Sequence, residues 1–421
     1  MKLKFKKIRG TQDILPEEAH LYRFVERVAS DVFEESGFLE IKIPTFEDVG
    51  LFIHSTGETT DIVQKEMYVF QDKKGRTLAL RPEGTPGIVR AYLENSLDKK
   101  SPISRFYYSG QMFRYERPQE GRYREFYQIG CEYFGNSSSS ADAEVILLMK
   151  NIYDRIGLTD IRIELNSIGC DVCRVKYRSA LIEFLEKIKN ELCDDCQIRI
   201  VKNPLRALDC KKDAEKFNDP KTPKITDFLC ENCLKHFNEV QELLSILDIN
   251  FVLKPNLVRG LDYYTRTVFE AKRGESEAIA AGGRYDNLIE QLGGEKTPAI
   301  GFAIGVERTV EILKTLPNPP EKKNSYVFIV VQQKPEIIKK GLEALKKIRK
   351  EKIPVIGPYS DRSLKAQMRI AGSLNSRFVL IFGEGEIQKK RVILRDMTKK
   401  EQREIEIENL VQELKNAINS H

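Results

Sequence analysis

The chain has 421 residues, 41% of them apolar, which suits two to three domains with real cores, and no apolar run is long enough to span a membrane. The basic start "MKLKFKKIRG" leads into no apolar stretch, so it does not read as a secretory signal, and the chain reads as soluble and cytoplasmic. The net charge of +6 is uneven: from Lys322 onward 22 Lys+Arg stand against 12 Asp+Glu, a net of +10, leaving −4 for the rest, which fits either a nucleic-acid partner or a solvated helix face such as "KKGLEALKKIRKEK".

In chain order, residues 14–36 predict a helix, with apolar residues at helical spacing from Leu21 to Phe33. "GFLEIKIPTFED" predicts a strand ended by Pro44, and "TLALRPEGTPGIVRAYLEN" a strand, a turn and a helix. "ISRFYYSGQMFRYERPQEGRYREFYQIGCEYFG" reads as two long strands joined by a polar turn around Pro118–Gly121, and "SADAEVILLMKNIYDRIG" as a helix. The segment 166–245 breaks the pattern. Strands return at 258–270, 276–283 and 298–305, the last running into the helix "VERTVEILKTL". "PNPPEKKN", 317–324, has the composition of a linker. Beyond it strands and helices alternate as in a small α/β domain with parallel strands, whereas the earlier part reads as an antiparallel α+β core with helices to one side.

All eight cysteines lie between Cys131 and Cys233, seven of them in the pattern-breaking segment. Cys170-x-x-Cys173, Cys193-x-x-Cys196 and Cys230-x-x-Cys233 have the pair spacing of tetrahedral zinc ligands, with Cys210 between. Cys193, Cys196, Cys230 and Cys233 form one candidate set, and sets drawing on Cys170, Cys173 or Cys210 are others. The alternative is free thiols in a small subdomain.

Phosphate-loop and dinucleotide glycine motifs are missing, and none of the four histidines stands in a zinc-protease pattern. What stands out is "FRYERPQEGRYREF". Arg114 and Glu116 share one strand face, Arg122 and Arg124 share a face of the returning strand, and aromatic residues crowd the same segment. Guanidinium forks match phosphate oxygens and a ring can stack on a base, so this suits a nucleotide. Surface ion pairs are the plainer reading. "RGLDYYTRTVFE" poses a different question. Strict alternation from Tyr263 puts Tyr263 and Tyr264 on opposite faces, unless Arg259-Gly260-Leu261-Asp262 is a turn and the strand begins near Tyr263.

Taken together these stretches resemble the class II aminoacyl-tRNA synthetases, and among them the histidyl-tRNA synthetase family. "GFLEIKIP" is similar to motif 1, with Pro44 as its proline; "FRYE", its loop and "REF" to motif 2; "AIGFAIGVER" to motif 3, with Ala299 where the first glycine is usual. "LVRGLDYY", "AGGRYD" and "RGTQDILP" fit the histidine branch, and the resemblance spans essentially the whole chain.

The resemblance implies a split catalytic domain (1–165 and 246–320), a cysteine-rich insertion domain (166–245) that leans on the tRNA acceptor stem, and an anticodon-binding α/β domain (325–421). It implies activation of L-histidine with ATP and Mg²⁺, transfer to histidine tRNA, and a homodimer built through motif 1. Arg259 and Arg114 would be catalytic. Glu83, Gly84, Thr85, Arg114, Gln128, Glu132, Arg259, Tyr263 and Tyr264 would hold histidine, with Glu83 on the ammonium and Glu132 and Tyr264 on the imidazole nitrogens. Arg114, Glu116, Arg122, Phe126 and Arg308 would hold ATP, and Gln119 and Arg124 would meet the acceptor end. A regulatory relative without aminoacylation, serving histidine biosynthesis, is the alternative within the family. Another class II synthetase would leave "LVRGLDYY" and "AGGRYD" unexplained.

Overall fold

The computed structural model describes residues 4–118, 121–210, 212–274, 277–320 and 327–419. The chain forms two compact units, Met1–Pro320 and Glu321–His421.

The first unit opens with α1 (Ala19–Glu35), whose buried stripe Leu21, Tyr22, Val25, Ala29, Val32 and Phe33 has helical spacing. The helix ends at Gly37, where φ is +77°. It is followed by β1 (Leu39–Glu40), β2 (Phe46–Asp48), α2 (Val49–Thr56), β3 (Val69–Gln71), β4 (Thr77–Leu80) and α3 (Thr85–Glu94). The expected strand through "GFLEIKIPTFED" is therefore two short ones, interrupted at Pro44. Pro44 has no N–H for a ladder. Instead the carbonyls of Ile43 and Pro44 accept hydrogen bonds from the buried Arg81 guanidinium, at 2.9 and 3.4 Å.

Next come the long strands β5 (Ser104–Phe113) and β6 (Glu125–Phe134), then α4 (Ser139–Ile156) and β7 (Ile161–Ser167). The 166–245 segment contains α5 (Asp171–Lys187), α6 (Asp194–Lys202) and α7 (Glu231–Ile246), the last ending just beyond it. The unit closes with β8 (Phe251–Leu253), β9 (Thr265–Arg273), β10 (Ala280–Arg284), α8 (Leu288–Gln291), β11 (Ala299–Gly305) and α9 (Val306–Lys314).

Among the described residues eight of these strands form one sheet, in the order β1-β5-β6-β11-β10-β9-β7-β8. All pairings are antiparallel except β1 with β5 and β7 with β8. Helices α1, α4, α7 and α9 cover one face, where Ile129, Cys131 and Tyr133 of β6 point into their shared core. Period two then turns Phe126, Gln128 and Glu132 to the other face. The expectation of an antiparallel core with helices to one side matches this architecture.

The second unit runs β12 (Val327–Val331), α10 (Pro335–Lys350), β13 (Val355–Ile356), α11 (Leu364–Ser373), β14 (Phe378–Phe382), α12 (Glu384–Gln388), β15 (Arg391–Asp396), β16 (Glu401–Glu406) and α13 (Leu410–Asn419). Its sheet, β13-β12-β14-β15-β16, is parallel only over the first three strands. The antiparallel pair β15 and β16 escapes sequence reading because β16, "EQREIE", exposes every residue but Ile405.

Candidate active site

On the face of the large sheet away from α1 and α4 lies a cavity of about 420 Å³. Twelve of the candidate residues line it: Glu83, Thr85, Arg114, Glu116, Arg122, Phe126, Gln128, Glu132, Arg259, Tyr263, Tyr264 and Arg308. Gly84 sits behind the wall, where a Cβ would meet the Tyr108 ring at 2.6 Å, so glycine lets that ring close over the turn. Arg124 turns away: it stacks on Tyr115 at 3.7 Å and donates to the Arg9 carbonyl at 3.3 Å. Gln119 lies outside the described residues. The arginine hairpin thus assembles Arg114, Arg122 and Glu116, without Arg124.

One part of the cavity is acidic and closely hydrogen-bonded. Glu83 accepts from Thr56 Oγ1 at 2.9 Å and from the Tyr263 hydroxyl at 2.6 Å. Glu132 accepts from Thr85 Oγ1 at 2.6 Å and from the Tyr285 hydroxyl. Burial raises the pKa of both carboxyls, that of Glu132 to about 8, because the low-dielectric surroundings penalise the charged form. Gly301, opposite Glu132 in the ladder, makes room for it: a Cβ there would stand 2.1 Å from Glu132 Oε2.

The other part is cationic. Arg308, in the first turn of α9, donates to Ala278 O at 2.6 Å, to Glu277 at 2.6 Å and to Gly121 O at 3.2 Å. Glu277 also lies 3.3 Å from Arg122, which lies 3.3 Å from Glu116. Burial, together with the nearby charges of Arg122 and Arg114, holds the Arg308 pKa below its ordinary range. Arg114 stands over the Phe126 ring at 5.3 Å and donates to Pro82 O at 2.9 Å. Its charge also acts on Glu83, so it is shared by both parts of the cavity.

Arg259 pairs with Glu270, and its own carbonyl accepts from Arg206 at 3.1 Å. Among the described residues its Nε and the Gln128 Oε1 are buried without a hydrogen-bond partner, and both residues face the cavity. Unsatisfied polar atoms at a cavity wall are what a polar ligand would pair with. Residues 260–263 form the turn, and β9 starts at Thr265, two residues later than expected. Both tyrosines therefore precede the strand and are not bound by its alternation. Their rings lie 4.7 Å apart and line one cavity.

Several lining residues escaped sequence reading. Tyr285 belongs to the quoted "AGGRYD", which does more than its glycines suggest. The fully buried Arg284 beside it is clamped by Asp142 at 2.6 Å and by the carbonyls of Asn136 and Ser138. That clamp steers Tyr285 onto Glu132. Burial alone would raise the Asp142 pKa, but Arg284 and His236 outweigh it and hold it below the usual carboxylate range. Glu270, Lys272 and Tyr108 carried no separate signal, nor did Asp209 in the cysteine segment.

A family model for histidyl-tRNA synthetase matches residues 10–309. This chain belongs to that family. A model for an anticodon binding domain matches residues 325–417. The histidine–tRNA ligase of Thermodesulfovibrio yellowstonii is 45% identical over 414 residues, 97% of this chain and 98% of the relative. That of Thermotoga maritima is 46% identical over 407 residues, 96% of each. The crystal structure of apo S. aureus histidyl-tRNA synthetase matches with a TM-score of 0.81 and 33% identity, covering 98% of this chain and 100% of that one.

Proposed function

We propose that this chain is a histidine–tRNA ligase, which joins L-histidine to the α-phosphate of ATP, releases pyrophosphate, and passes histidine to the 3′ end of its tRNA. The single observation that carries this reading is one cavity holding two buried carboxyls beside a group of arginines that includes Arg114, Arg122, Arg259 and Arg308. The histidine carboxylate is itself the nucleophile, so the protein has only to align two anions and neutralise charge. In this reading Arg114 and Arg259 bind the reacting carboxylate and α-phosphate, and Arg122 and Arg308 the outer phosphates. Phe126 stacks on adenine and Glu116 accepts from its amino group. Glu83, Thr85 and Gln128 surround the ammonium, and Gly84, behind the wall, shapes the turn that presents Glu83 and Thr85. Glu132 and Tyr264 serve the two imidazole nitrogens, with Tyr263 fixing Glu83. Glu132 accepts from an imidazole N–H most strongly when ionised, so histidine binding would draw its pKa back down.

Mg²⁺ would arrive with ATP, held chiefly by phosphate oxygens and water, with Glu116 and Glu277 the carboxylates beside the arginines. Gln119 and Arg124 would meet the acceptor end. Residues 166–245 would act as the insertion domain between the catalytic pieces 1–165 and 246–320, and residues 325–421 as the anticodon-binding domain. A homodimer is supported by the motif 1 stretch and the short strand after it, which leave Leu39 68% and Phe46 53% exposed on the single chain. Among the described residues no helix is long and apolar enough to cross a membrane, and we place the enzyme in the cytoplasm.

The test is ATP–pyrophosphate exchange. Exchange should require histidine, and a rate that is absent, or equal with threonine or proline, sinks the reading. In the same assay Arg259→Lys should lower the rate at saturating histidine by about 10²–10³-fold while histidine binding changes far less. Equal losses in both would make Arg259 a substrate anchor only.

A further inference from the structure

The cysteines of the 170–233 segment sort into two separate clusters. Cys170, Cys173, Cys230 and Cys233 bring four Sγ atoms within 4.8 Å of one another, and Cys193, Cys196 and Cys210 do the same with a carboxylate oxygen of Asp213. The set Cys193, Cys196, Cys230 and Cys233 considered from the sequence is not assembled. The pairs divide between the clusters instead, because Cys170 and Cys230 open two helices, α5 and α7, whose N-termini meet.

The spacing is that of a metal site. Cys170 Sγ lies 3.6 Å from Cys173 Sγ and 3.9 Å from Cys230 Sγ, and Cys193 Sγ lies 3.6 Å from Cys210 Sγ. A disulfide would bring sulfurs to about 2.05 Å. A tetrahedron with zinc–sulfur bonds of about 2.3 Å has edges of about 3.8 Å. The local backbone serves the same end. Cys170, Cys193 and Cys230 are the N-cap residues of α5, α6 and α7, so each helix start carries one sulfur into its cluster. Cys173 Sγ accepts from the Cys230 N–H at 3.1 Å. Asp213 is oriented by the Cys193 N–H at 3.0 Å and by Lys216 at 2.8 Å.

We propose that this segment binds two zinc ions, one held by Cys170, Cys173, Cys230 and Cys233 and the other by Cys193, Cys196, Cys210 and Asp213. Each site is closed by four protein ligands, which makes it structural, and each cysteine thiol gives up its proton to bind as a thiolate. Both sit behind the cavity wall. Arg174 of α5 donates to Tyr264 O at 3.2 Å, and Arg206, four residues before Cys210, donates to Arg259 O at 3.1 Å. The ions thus fasten the braces of two cavity residues.

Elemental analysis decides. Full-length protein equilibrated anaerobically with zinc and passed over a chelating resin should retain about two ions per chain. Cys233→Ser and Cys196→Ser should each retain about one. Cobalt substitution of the unmutated chain keeps the test open if those variants do not fold: it should give tetrahedral d–d bands and sulfur-to-cobalt charge transfer. Asp213→Cys should raise that charge-transfer absorption by about one-seventh, as seven thiolate ligands become eight. One retained ion or none, or cobalt bands that Asp213→Cys leaves unchanged, overturns the two-site assignment.

Discussion

Glu132 is a cavity carboxyl whose chemistry departs far from its free form. Its pKa of about 8, against 4.5 unperturbed, means that the folded chain holds a proton there that the unfolded chain releases. Folding is therefore least burdened by this group below about pH 4.5, and stability is lost progressively as pH rises through 8. Glu132→Gln keeps the hydrogen-bonding shape but cannot ionise. The wild type should lose thermal stability relative to this variant between about pH 5 and 8, by an amount on the order of a few kcal/mol. Parallel melting curves across that range would show that Glu132 ionises freely in the fold. The sequence could name Glu132 through its family motif, but not its partners. Thr85 is 47 residues away and Tyr285 is 153, and only the sheet brings them to one carboxyl.

At the scale of the element, β11 sets the floor of the cavity with two glycines in different situations. A Cβ on Gly301 would meet Glu132 Oε2 at 2.1 Å and Cys131 O at 2.3 Å, whereas one on Gly305 would meet only Ile279 O at 3.7 Å. Tight packing explains the first glycine and not the second. Gly301→Ala should cost about 1–3 kcal/mol and weaken histidine binding, since backbone and carboxylate must both shift. Gly305→Ala should melt within about 0.5 kcal/mol of wild type. Equal melting shifts for the pair would contradict this ladder register. A related lesson holds for β9. Arg266 adopts φ +50°, and the register with β10 jumps between Gly283 and Arg284. The alternation legible in "TRTVFE" is therefore reliable only from Val268, which faces the cavity side, and Phe269, which faces the helices.

Across the whole molecule charge and fold divide in the same place. The basic excess lies in the unit 321–421, where Lys339, Lys340, Lys346, Lys347, Arg349 and Lys350 of α10 are all exposed. If this unit grips tRNA through phosphates, affinity should fall about a thousandfold or more between roughly 50 and 200 mM salt, for six or so phosphate contacts. Histidine-dependent exchange without tRNA should change little over that range. Binding by filter retention that is flat in salt would remove the electrostatic role of this unit.

The amino-acid sequence by itself determined the local elements with strong periodicity, such as α1, β5, β6 and the α/β order of the second unit. Its motifs also identified twelve side chains that share one cavity. Both kinds of information are local: an amphipathic stripe or a short motif is written in consecutive residues. Only the tertiary structure decided which cysteines meet, that both tyrosines precede the strand, that Arg124 leaves the arginine group, and that Tyr285 meets Glu132. These depend on contacts between residues far apart in the chain, Cys170 with Cys230 among them, 60 positions apart. Such contacts are selected by how sheet and helices pack, which no window of neighbouring residues encodes.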